Sequence, residues 1–262
     1  MTTTIRRPLV GLVALAAALA LLLPVLTDRA SAADSRVTIV HGIPGVAVDV
    51  YAGGTDEADR VLTDFRYGDV AGPLTLPAGP LPVVVVPTGS DASDPANQVI
   101  DQTLDVPSGA DLAVVADLVG GAPVLTPFVN DLSAVPEGSS RVTVRHAADA
   151  PALDVLVDGE VAIVGLAAGE QASAVLPAGA YDVRVQLTDG TPLPALSPGA
   201  VTVPAAKNVI VYATGSATDG DFPLGLVQQV LDVPTEAGPV PTTTAPAPPA
   251  ATGVETHAAV TG

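Results

Sequence analysis

From Arg141 the chain alternates. Val142, Val144 and His146 fall on one parity, and Arg141, Thr143 and Arg145 fall on the other. Side chains two apart on a strand face the same side, so a strand is predicted with the first set buried and the second set wet. Leu153, Val155 and Val157 alternate in the same way with Asp154 and Asp158. Leu176-Pro-Ala-Gly179, followed by Ala180 to Val185, predicts a strand, a tight turn and a returning strand. The unbroken apolar runs Val83–Val86 and Val209–Val211 predict strands covered on both faces. Pro and Gly interrupt every window long enough to read as a helix. Turn signals recur roughly every 8–12 residues, the rhythm of a sandwich with about seven strands.

The pattern then repeats itself. Arg36-Val-Thr-Ile-Val-His41 returns as Arg141-Val-Thr-Val-Arg-His146. Val48-Asp49-Val50 meets Leu153-Asp154-Val155, and Leu76-Pro-Ala-Gly79 meets Leu176-Pro-Ala-Gly179. Leu104-Asp-Val-Pro107 meets Val201-Thr-Val-Pro204, and Asn130-Asp131-Leu132 meets Gln228-Gln229-Val230. Order is kept while the offset drifts slightly, as duplication with loop insertions produces. The fold class expected is all-β: two tandem Ig-like β-sandwich domains, residues 35–137 and 139–234, with a linker near Glu137-Gly-Ser-Ser140.

Neither end follows this pattern. Residues 1–32 read as a secretory signal peptide. Arg6 and Arg7 precede an apolar run from Leu9 to Leu23, which Pro24 breaks, and Ala30-Ser31-Ala32 offers a cleavage site. The run falls short of the about 20 residues a spanning helix needs. Residues 235–262 read as a disordered tail, because Pro, Thr, Ala and Val dominate from Gly238 to Ala251 and cannot build a core. The closing Val260-Thr-Gly262 has neither the hydrophobic helix nor the basic residues of a wall-sorting signal.

Composition narrows the partners. The net charge is −18, from 28 acidic against 10 basic residues. Phosphate neutralisation supplies most nucleic-acid affinity, so a nucleic-acid partner is not expected. With no cysteine, disulfides and thiol chemistry are excluded. Four Tyr, three Phe and no Trp leave little for sugar stacking, although Tyr51, Phe65 and Tyr67 could gather in the first repeat.

Val142, Val144, His146, Pro151, Asp154 and Val155, then Leu176, Ala178, Gly179, Tyr181, Val183 and Val185, make an order that resembles the domain-of-unknown-function 4397 family. The first repeat departs from it, with Val46 in place of Pro151 and Pro80-Leu81 in place of Ala180-Tyr181. The resemblance implies a β-sandwich in an exported bacterial protein of a kind common in actinobacteria, often with tandem copies. It brings no activity and no site.

Candidate chemistry is sparse. His41 with Asp49, and His146 with Asp154, could each be a base with its orienting carboxylate. Inward parity and presence in both repeats favour a structural signature instead. No G-x-S-x-G elbow and no H-E-x-x-H motif occurs. Asp56, Glu57 and Asp59 in one loop, and Asp91, Asp94 and Asp101 in another, have the oxygen ligands that calcium takes, without the spacing of an EF-hand. No cofactor is required. The function expected is that of an exported, non-enzymatic structural or adhesive protein, extracellular or on the cell envelope, which meets a cell-wall polymer or a protein. A calcium- or small-ligand-binding module is the alternative, and an extracellular hydrolase the third reading.

Overall fold

The valine-rich alternation becomes strand almost throughout. A computed structural model describes residues 32–236. The first half holds β1 (Ser35–His41), β2 (Val48–Ala52), β3 (Arg60–Phe65), β4 (Val70–Leu76), β5 (Gly79–Pro87), β6 (Ile100–Val106), β7 (Asp111–Val119) and β8 (Ala122–Val129). The short β9 (Val135–Pro136) leads to β10 (Ser139–Asp149), β11 (Leu153–Val157), β12 (Glu160–Leu166), β13 (Gln171–Pro177), β14 (Gly179–Leu187), β15 (Gly199–Val203), β16 (Lys207–Ser216) and β17 (Gly225–Asp232). The last strand, β18 (Thr235–Glu236), pairs in parallel with β9. Two residues of the expected tail are therefore strand. The rest of the tail, with His257, and the signal peptide up to Ser31 lie outside the described residues. Among the described residues no helix is long and apolar enough to cross a membrane.

Each half is a sandwich of two four-stranded sheets. The first half stacks β4-β1-β7-β8 on β3-β2-β5-β6, and the second repeats that order as β13-β10-β16-β17 on β12-β11-β14-β15. β1 runs parallel to β7, and β10 runs parallel to β16. The sandwich thus has eight strands, with its first strand inside a sheet, whereas a seven-stranded immunoglobulin constant domain has its first strand at an edge. β7 lies against β1 and forms a hairpin with β8. That hairpin closes on Gly120-Gly121, whose φ of 58° and 78° suits the primed turn that matches strand twist.

Inward side chains from both sheets form the first core, among them Val37, Val50, Phe65, Val85, Leu104 and Val114. The outer face of the β1 sheet is covered too. Val40, Ala113, Val115 and Phe128 pack against Ala147, Ile210, Tyr212 and Val227 of the β10 sheet, so the halves meet back to back in four layers.

This contact overturns the expectation that Arg141, Thr143 and Arg145 are wet: all three are buried. Arg145 is 1% exposed. Its guanidinium donates to Tyr212 Oη (2.8 Å), Asn130 Oδ1 (2.8 Å), the Val129 carbonyl (3.2 Å) and Gln171 Oε1 (2.9 Å). It also lies 4.9 Å from the Phe128 ring centroid. An arginine tolerates such burial because its fixed fork of donors can be satisfied while its plane stacks on aromatic faces. Arg141 in turn pairs with Asp131 (3.1 Å) and donates to the Ser133 carbonyl (3.0 Å), which fastens the connecting segment.

Candidate functional site

The two histidines close the end of the first strand in each half. His146 is fully buried, with Nδ1 accepting from the Ala148 N–H (3.3 Å) and Nε2 3.0 Å from the Pro151 carbonyl. With Nδ1 an acceptor, Nε2 carries the proton. Burial holds the ring's pKa below its ordinary value, against the opposing pull of the Pro151 and Ala150 carbonyls. His41 has Val46 where His146 has Pro151. Its Nδ1 accepts from the Ile43 N–H (3.4 Å), while its buried Nε2 has no hydrogen-bond partner. Burial lowers its pKa as well.

The carboxylates that a base–orienter pair would set against these rings serve the neighbouring strand instead. Asp154 accepts from the Gly165 N–H (2.8 Å), and Asp49 accepts from the Asp64 N–H (3.0 Å). Gly165 and Asp64 have φ of 64° and 51°, where the edge strand bulges and an N–H leaves its ladder. A buried N–H needs a partner, and the signature Asp is that partner in both halves. Burial pushes the Asp49 carboxyl up, but the Asp64 and Gly89 N–H groups, the Thr88 hydroxyl and the Arg60 charge outweigh it and hold it below its ordinary value. His and Asp therefore do not form a base–orienter pair in either half.

The acidic loops do meet. Asp56 and Glu57 line one open cleft with Asp91, beside Tyr51, Arg60 and Ser93. Their oxygens are largely engaged by their own loops. Asp59 accepts from the Asp56 N–H (3.2 Å), Asp91 from Ser93 Oγ (2.7 Å) and Asp94 from the Ala96 N–H (3.0 Å), while Arg60 pairs with Glu57. Among the described residues no three acidic or histidine side chains gather around a common point as metal ligands would. The aromatic patch does not form either. Tyr51 and Phe65 are buried in separate clusters, and Tyr67 reaches Thr214 of the second half (3.3 Å).

One edge strand carries the most exposed large hydrophobic side chain among the described residues. β12 borders its sheet, its only charge is Glu160, and it leaves Val161 48% and Val164 77% exposed. The matching edge β3 carries Arg60 and Asp64. The apolar residues Val161 to Val164 of β12 fall on both parities, so alternation does not mark an exposed face there.

With the His and Asp arrangement shared by both halves, the sequence resemblance can be placed. Part of the chain is similar to the DUF4397 family. The model of that family, a domain of unknown function, matches residues 35–156. The DUF4397 match spans the whole first sandwich, β10 and most of β11, so both signature pairs, His41 with Asp49 and His146 with Asp154, lie inside it. No curated protein matches the chain.

Proposed function

We propose that this protein is exported through residues 1–32 and acts without catalysis, as a structural or adhesive module outside the cell or on its envelope. It joins a partner by strand addition at β12. The exposed valines of that edge carry the reading. Natural edges are usually blunted by charge, proline or bulges; β12 bulges at Gly165, but an apolar edge with open N–H and C=O groups is still a template for another strand. The partner is an extended polypeptide segment of an envelope protein.

Co-sedimentation of the exported chain with isolated cell envelope tests this. The parent is expected to bind saturably, and Val164→Lys, which sets a charge on the edge and leaves the core intact, to bind at least about tenfold more weakly. Failure of the parent to sediment would overturn the envelope reading. Unchanged binding by Val164→Lys would remove β12 from it.

A further inference from the structure

The two sandwiches match strand for strand, yet their interiors are not equally filled. Val37, Ile39, Leu104 and Val114 are buried in the first. By strand register their counterparts are Val142, Val144, Val201 and Val211, and all four are only half-buried. Between the sheets of the second sandwich lies a cavity of ≈ 140 Å³. The space at the same place in the first is ≈ 20 Å³.

Particular residues open it. Leu74, Ile39 and Leu104 of the first half stand where the second has Ala174, Val144 and Val201, each a loss of wall volume. One edge also lacks a tie that the first half has. Gln102 of β6 ties the first sandwich shut, donating from Nε2 to the Leu125 carbonyl (2.8 Å) and accepting at Oε1 from the Leu125 N–H (2.9 Å). Gly199 holds that register position in β15 and has no side chain with which to reach Leu226 of β17.

The lining is hydrocarbon throughout except for Tyr181, whose hydroxyl is engaged by the Pro177 carbonyl (2.8 Å). Water is a poor occupant, since it needs two to four polar partners. A polar or strongly shaped ligand needs groups to orient it, and the wall offers none. An unbranched alkyl chain needs neither, and its head can stay in solvent outside the cavity. A cavity of about 150 Å³ accepts benzene, so about six carbons fit inside. The net charge of −18 disfavours an anionic head.

We propose that the second sandwich binds the hydrocarbon end of a neutral single-chain lipid between its sheets. Ala162 and Ile163 of β12 line the cavity, but Val164, 77% exposed, does not, so Val164→Lys should retain the site. The test is calorimetric titration of the exported chain with a neutral medium-chain monoacylglycerol below its micelle concentration, with glycerol as the control. One saturable site per chain is expected for the lipid and none for glycerol. Ala174→Leu combined with Val201→Leu restores the residues of the first half. It should weaken binding at least about tenfold and raise the melting temperature of the free protein, because the cavity is filled. Absence of saturable binding by the parent, or undiminished binding by the filled variant, would overturn the proposal. Should the double variant not fold, Val144→Ile adds one methylene to the same wall and should weaken binding severalfold; no change there is equally fatal.

Discussion

Replacing Arg145 by Ala is expected to lower the unfolding free energy by about 3–5 kcal/mol, the range found when one member of a buried charged network is removed. The loss has two parts. Tyr212 Oη and Asn130 Oδ1 each lose a donor in a place that water reaches poorly. The guanidinium also leaves a gap between Phe128 and Tyr212, where the two sandwiches touch. Arg145→Lys should recover little, because an ammonium cannot reproduce the fork or the stacking. The control is Arg184→Ala. That side chain is 68% exposed and pairs only with Asp182, so its loss should cost within about 0.5 kcal/mol. Urea unfolding of the three variants measures this. Because the lost contacts join the halves, the Arg145→Ala transition should also broaden or split. Equal losses for Arg145→Ala and Arg184→Ala would refute the account.

Arg145 and Arg184 show where reading the sequence stops. Each is an arginine at a polar position of an alternating strand, and period-two logic gives both the same wet face. That logic divides a strand into two faces but does not say what covers the second. The hint lay in the neighbours. Val209–Val211 is apolar on both parities, which predicts a covered outer face, and Ile210 on that face packs beside Arg145's partner Tyr212. The inward faces were legible, and so was the burial of His146. The cavity was not, because Val144 and Val201 look like core in any listing of hydrophobic positions, and only the spacing of the sheets shows that they fail to meet. The acidic loops were legible as clusters. Their short turns, which turn each carboxylate back on its own backbone, were not.

Asp117 makes the stability of this protein depend on pH in a direction unusual for a carboxylate. It lies on β7 among the residues facing the second sandwich, is 2% exposed, and takes hydrogen bonds from Thr126 Oγ1 at 2.9 and 3.0 Å. Burial pushes its carboxyl up to about 7 from 3.8, and the Thr126 hydroxyl and a backbone N–H only partly oppose it. The folded chain therefore holds a proton that the unfolded chain releases. The stabilisation is fully present below about pH 4 and is lost as pH rises through about 7, with a limiting slope of about 1.4 kcal/mol per pH unit and a total of roughly 4 kcal/mol. His41 and His146 act in the opposite sense, because burial keeps them neutral and their contribution is lost as pH falls through the ordinary histidine range. A single pH profile therefore mixes the two. Asp117→Asn separates them, since the histidine contributions are common to both proteins and cancel in the difference. The variant should gain stability relative to the parent by roughly 4 kcal/mol between pH 4 and pH 8, the change accruing steadily from about pH 4 to about pH 7 and levelling off above that. Denaturant unfolding of both proteins at several pH values across that interval measures it. A flat difference would mean that Asp117 is ionised in the fold, and so that its carboxylate reaches water or a cation through the seam between the sandwiches.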